Sequence, residues 1–231
     1  VRGSRNKNTL ILIDGVPLND PSGIDASFDL RFLALEQIES IEVLKGGLST
    51  LYGTGAAAAV INIKLKEAPT QGTHGQIDYS YGSFETHRAS ASIGGTEDKL
   101  SYTVSGGFMD SEGFSAASDE NSNGSFEKDG MNQKNGALKL GLQVTDQVSL
   151  AVNAGYDKFS ADYDDGAFLD ADNVNNGEQF RLGFTPTFNY GKGTIKANLL
   201  LNTGTREFVS SFPSEYKSKN VQGEITQEHQ I

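Results

Sequence analysis

From His74 onward apolar side chains recur at every second position, and that period constrains the chain more than any other feature. Ile77, Tyr79 and Tyr81 start the pattern, and Leu100, Tyr102, Val104 and Phe108 repeat it. Leu138, Leu140 and Leu142, then Val148, Leu150, Val152 and Tyr156, carry it on. Phe180, Leu182, Phe184 and Phe188, and Ile195, Ala197, Leu199 and Leu201, extend it further. The intervening positions hold Lys139, Gln143, Asn153, Arg181, Lys196 and Asn198. A period of two with one apolar and one polar face is the pattern of a half-buried strand. Alternation alone leaves a sandwich and a barrel both open.

The connections narrow the choice. Tight turns at Gly95–Asp98, Thr145–Asp146 and Gly191–Gly193 alternate with long polar stretches near 110–132, 160–177 and 210–218. In an antiparallel meander that alternation gathers every long loop at one end. Outer-membrane barrels have that asymmetry, with aromatic girdles where the wall meets water. Tyr79, Tyr81, Phe108, Tyr156, Phe159, Phe180, Phe188 and Tyr190 are placed for such girdles. About eight strands are expected, against about 22 in plugged outer-membrane transporters. Pro186 counts against its segment, because proline donates nothing to a ladder.

Composition removes several functions. The net charge is −11, and the basic residues do not cluster, so no nucleic-acid partner is expected. With no cysteine there is neither a disulfide framework nor a thiolate site. His74, His87 and His229 lie far apart and lack zinc-hydrolase spacing. No Gly-Lys-Ser/Thr follows the Gly46-Gly47 or Gly53-Thr54-Gly55 turns, so they are not phosphate loops. No carboxylate pair selects glycosidase chemistry. An enzyme is not expected.

The first third follows different rules. Thr9–Ile13 is a β-branched apolar run ended by Asp14-Gly15, and Ile41–Leu44 and Ala58–Lys64 read as further strands. Leu30, Leu33, Ala34, Leu35 and Ile38 suggest a short helix over Asp29–Glu36, and Ser49 caps a turn through Tyr52. A small α+β unit is expected, ending near residue 65. The chain opens on Val1 without a leader and stops within an alternating segment, which suggests an internal piece of a longer protein.

Leu10-Ile-Leu-Ile-Asp-Gly-Val-Pro-Leu18, Ile38-Glu-Ser-Ile-Glu-Val-Leu-Lys-Gly46, Ser49-Thr-Leu-Tyr-Gly53 and Ala59-Val-Ile-Asn-Ile63 stand in fixed order. Together they resemble the plug domain of TonB-dependent outer-membrane receptors. Ala57–Ala59 stand where that family usually has Gly-Gly. The resemblance implies a mainly β chain in two parts. Residues 1–68 would be the α+β C-terminal half of a plug domain, and residues 69–231 the first antiparallel strands of a transmembrane β-barrel. It also implies the outer membrane of a Gram-negative bacterium, contact with outer-membrane lipid, and a small-molecule nutrient imported actively. The partner would be a TonB-type energy-coupling protein, engaged through a Ton box absent from this chain.

The long loops hold many carboxylates, and paired acidic loops can supply the oxygens that Ca²⁺ takes, although loops are acidic and polar in any case. Gly113–Ala117, Lys128-Asp129-Gly130, Asp162-Tyr163-Asp164 and Phe168-Leu169-Asp170 are similar in order and spacing to the calcium loops of the vitamin B12 (cobalamin) transporter branch. That resemblance implies Ca²⁺ at or beside Asp129, Tyr163, Asp164 and Asp170. Glu127 stands where an Asp is usual, and Ser115 replaces a further Asp. Cobalamin is the expected ligand, with an iron–siderophore or haem as the alternative on the same fold. A soluble β-rich carbohydrate-binding or adhesive protein is the alternative of another class.

Overall fold

The computed structural model describes residues 8–18, 20, 28–46, 54–118 and 126–230. Two sheets account for it. A four-stranded sheet is formed by β1 (Thr9–Ile13), β2 (Val16–Leu18), β3 (Ile38–Lys45) and β4 (Ala59–Leu65) in the order β2-β1-β4-β3. Its centre pairs β1 with β4 in parallel, and β2 and β3 flank them antiparallel. The β1–β2 turn rests on Asp14 at φ 49 and Gly15 at φ 82, the left-handed pair a tight hairpin needs.

The second sheet is an eight-stranded meander. Its strands are β5 (Gly72–Gly82), β6 (Thr86–Glu97), β7 (Leu100–Ser111), β8 (Met131–Gln143), β9 (Val148–Tyr163), β10 (Asn173–Tyr190), β11 (Gly193–Val209) and β12 (Ser214–His229). Every pairing joins chain neighbours and is antiparallel. The sheet is an open wall with edges at β5 and β12, not a closed barrel. No described helix is long and apolar enough to cross a membrane, which leaves open a crossing by strands.

Burial follows the alternation. Along β10 the odd positions Asn173, Asn175, Gln179 and Arg181 are buried, while Glu178, Phe180, Leu182 and Phe184 point away. The small sheet sits on the polar face. Ile11, Leu18, Phe28, Phe32, Leu33 and Ile63 form its core, and Phe159 of the wall completes it. Leu10, Leu12, Ala56 and Val60 pack on the opposite side of β1 and β4.

Several expectations are corrected. Asp29–Glu36 is not an α-helix: two 3-10 turns, Leu30–Phe32 and Leu35–Gln37, are separated by extended Leu33 and Ala34. Phe32, Leu33 and Ala34 are buried in succession while Leu30 and Leu35 are exposed, a pattern that one face of a helix cannot produce. Phe159 is no girdle residue: it shares the inward parity of Asp157 and is 1% exposed. The other girdle candidates named above, Tyr190 apart, are exposed large side chains. The loops are shorter than their composition suggests, because β9 to β12 run 16 to 18 residues. The stretch read as 210–218 contracts to 210–213 between β11 and β12. Pro186 sits inside β10 after all, and the ladder to β11 lapses beside it, between Phe184↔Leu199 and Thr187↔Lys196. The turn expected at Ser49–Tyr52 lies outside the described residues.

Candidate functional site

Two constellations of charged and polar side chains stand out among the described residues. The first is an acidic cluster at the long-loop end, where the β7–β8 and β9–β10 connections meet. Carboxylate oxygens of Glu127, Asp164 and Asp170 all lie within 4.8 Å of one another. Asp164 Oδ2 accepts from the Ala117 amide at 2.6 Å, and its Oδ1 accepts from the Ala171 amide at 3.0 Å, so it ties both loops together. Asp129 Oδ2 accepts from the Ala116 amide at 2.5 Å. Its other oxygen is buried and has no hydrogen-bond partner among the described residues.

Crowding of like charge governs the protonation here. A hydrogen bond shared with Asp170 holds Glu127 above the usual carboxylate range. Burial raises Asp129, and its proximity to Asp164 adds to the rise. Burial also acts to raise Asp164, but the amides of Ala171 and Ala117 outweigh it and hold Asp164 low. The structure thus brings Glu127, Asp129, Asp164 and Asp170 together. Tyr163 turns aside, with its ring edge-on to Phe208 at 6.3 Å. Ser115 Oγ donates to Asp164 Oδ2 at 3.4 Å, linking its loop to the cluster.

Sequence reasoning missed the second constellation, which joins the small sheet to the wall. Asp157 of β9 is fully buried and accepts from Arg181 Nη2 at 2.6 Å. Gln37 Nε2 reaches Asp157 Oδ1 at 3.4 Å and Asn135 Oδ1 at 3.3 Å. Toward the long loops, Arg206 of β11 binds Asp20 at 3.0 Å and Asp29 at 3.1 Å, with its guanidinium 5.7 Å from the Phe32 ring centre. Arg31 stacks over Phe159 at 4.4 Å, and its carbonyl accepts from Gln133. Toward the short turns, Lys139 bridges Asp14 at 3.2 Å and Glu67 at 2.5 Å. A cavity of about 640 Å³ lies there between the layers, lined by Asp14, Lys139, Asn153, Arg181, Lys196 and Asn198 among others. The inward parity of these positions was a readable signal. Their partners, brought from more than 90 positions away in the Gln37 contacts, were not.

A plug-like sheet seated on the polar face of an outwardly apolar meander invites comparison with known proteins. Residues 1–60 match the family model described as TonB-dependent Receptor Plug Domain. The chain belongs to the TonB-dependent receptor family. A probable TonB-dependent siderophore receptor, PirA of Acinetobacter baumannii, is 31% identical over 192 residues, covering 74% of this chain and 25% of that protein. The vitamin B12 transporter BtuB of Photobacterium profundum is 28% identical over 172 residues, covering 71% of this chain and 26% of that protein. Among these receptors the chain spans about a quarter of the length of its relatives. The crystal structure of the A. baumannii siderophore receptor PirA superposes with a TM-score of 0.76 at 23% identity, over 95% of this chain and 37% of that one. The copper transporter OprC gives 0.78 at 15% identity, over 100% and 37%. At those identities the structures speak to the fold alone. The sequence relatives include siderophore receptors, so the cobalamin branch is one of several that this chain resembles.

Proposed function

We propose that this chain is part of an outer-membrane receptor that captures a metal chelate from outside the cell and imports it, with a ferric siderophore as its ligand. The observation that carries the reading is a plug sheet held on the polar face of an outwardly apolar wall by ion pairs at Lys139 and Arg206 and by one local apolar contact around Phe159. Such a plug can be shifted without unfolding the wall. Relatives named as siderophore and ferric enterobactin receptors, at 30% identity or above, favour iron over cobalamin. Energy for the shift would come from a TonB-type partner. The activity involves binding and movement, with no bond made or broken in the ligand.

The acidic cluster supports a second reading, that a divalent cation orders the outer loops. Oxygens within 4.8 Å of one another fit one Ca²⁺, whose ligands lie about 2.3–2.6 Å from the ion. Glu127, Asp164 and Asp170 would hold it, and Asp129 has an unpartnered oxygen to add. When bound, the ion supplies a cross-link between the two loops. The chain's own amides at Ala116, Ala117 and Ala171 fix the carboxylates in place with or without it.

The deciding experiment titrates the intact receptor in detergent with ferric enterobactin and, separately, with cobalamin, each with and without Ca²⁺. Saturable binding of the iron chelate alone supports the first reading. Cobalamin binding that disappears on chelation of Ca²⁺ would replace it with the vitamin.

A further inference from the structure

Charge on the inner side of the wall is unevenly placed. The chain carries a net −11, yet the cavity between the small sheet and the short-turn half of the wall is lined by five cationic side chains and three acidic ones. Each of those carboxylates faces a lysine that is already engaged. Asp14 and Glu67 meet Lys139, and Glu39 lies near Lys64, which binds Glu42 at 2.6 Å. Lys66 and Lys196 are half-buried in the lining and have no ion pair among the described residues. Arg181 is 5% exposed. Its Nη2 binds Asp157, whereas its Nη1 is buried without a hydrogen-bond partner among the described residues.

The cavity also has the room and the neutral donors of a binding site. Ala137, Ala151, Gly155 and Gly183 keep its wall side low, and its volume of about 640 Å³ falls within the usual range for small-molecule sites. Asn198 is buried, and its Oδ1 accepts from Thr185 at 3.2 Å, so its NH2 has no acceptor among the described residues. A buried donor without an acceptor costs free energy until something answers it. An anion answers several of these groups at once. The carboxylate cluster lies at the long-loop end and the surplus cations lie near the short turns, so the field along the inner face draws an anion inward.

We infer that this cavity is a second site for the transported chelate and that the chelate is anionic, held by Lys66, Lys196 and Asn198 with the charge of Arg181 behind them. The inference rests on the import reading above. It adds the charge of the ligand and a place where it pauses between capture and release. Ferric catecholate complexes are polyanions, so ferric enterobactin is the matching probe. The cavity exists with the plug seated, so in detergent it fills without the energy-coupling partner.

The test counts ferric enterobactin bound to the intact receptor in detergent by equilibrium dialysis, at low and at high salt. Wild type should take up two equivalents, and the second should weaken as salt screens the lysines. The Lys66→Gln/Lys196→Gln pair should keep the first equivalent, which also shows that it is folded. It should bind the second roughly 30-fold more weakly. Lys192→Gln, in a turn outside the cavity, should match wild type. Citrate, a small polyanion, should not displace the second equivalent at equal concentration. Full displacement by citrate makes the cavity a general anion site and overturns the inference. A single equivalent in wild type, or a second that the paired substitution leaves unchanged, overturns it too and leaves the import reading standing. No bound chelate in wild type overturns both.

Discussion

Asp157 is a carboxylate buried entirely within a strand whose outward neighbours are Tyr156 and Lys158, and it survives there because Arg181 answers it at 2.6 Å. Gly155 allows the geometry, since a Cβ there would meet Arg181 Nη2 at 3.1 Å. Losing one member of such a pair leaves an uncompensated buried charge, whereas replacing both with apolar groups can be nearly neutral. Arg181→Met alone is expected to cost about 3–5 kcal/mol. Asp157→Leu combined with Arg181→Met should recover most of that loss. Urea midpoints of the single and double variants check this, and a double variant as unstable as the single would contradict it. Gln37 then loses an acceptor in the wall, so the double variant should seat the plug more loosely even though the wall itself is stable.

At the scale of elements, a 3-10 turn of the plug and strands β9 and β10 meet around two rings. Phe32 and Phe159 lie 5.0 Å apart at 58°, and Gly177 of β10 faces them. A Cβ on Gly177 would fall 2.3 Å from one Phe159 ring carbon and 2.8 Å from Phe32. Gly177→Ala must therefore displace both rings, at about 1–3 kcal/mol. The lowered thermal midpoint should come with faster proteolysis of the plug, whereas Gly82→Ala, with nothing near its Cβ, should leave plug proteolysis unchanged. The loops make a second element-scale case. If Glu127, Asp164 and Asp170 hold Ca²⁺, Asp164→Ala and Asp170→Ala each lower Ca²⁺ affinity at least tenfold by calorimetry. Tyr163→Phe should change it little, because that ring packs against Phe208 instead.

These elements also show what the sequence could reveal. Strand parity was legible because each wall strand buries one face, so Lys139, Asn153, Arg181 and Asn198 could be turned inward from the sequence alone. The acidic loops were legible from the density of carboxylates. The Asp29–Glu36 segment was misread because its apolar residues answer two surfaces at once, the plug core and the wall. Phe159 was misread for a related reason. An aromatic near a strand end looks alike on either face, and only its register against Gly177 shows that it points inward. Arg206, Asp20 and Asp29 gave no local signal, because their contact spans 186 positions in one case and depends on how the plug docks.

For the whole molecule, the distribution of these contacts decides how the plug can move. Apolar contact between plug and wall is concentrated around Phe159, while charge holds the plug at both ends of the wall through Lys139 and Arg206. Burial acts to raise Asp29, but hydrogen bonds from Arg31 and the charges of Arg31 and Arg206 outweigh it and hold the carboxyl below its ordinary value. A group depressed in the folded state stabilises above its unfolded value and loses that contribution as pH falls through the folded one. The seat should therefore be constant from neutral pH to about 5 and weaken below about 4. Asp29→Asn should cost about 2 kcal/mol at neutral pH. Guanidinium titrations of plug release, run as a pH series on both proteins, test this directly. The gap between wild type and variant should close as acid protonates Asp29. A gap that stays constant down to pH values near 3 would mean that shape, and not charge, holds this end of the plug. Mechanical release would then have to begin elsewhere, at the Lys139 bridge beside the short turns.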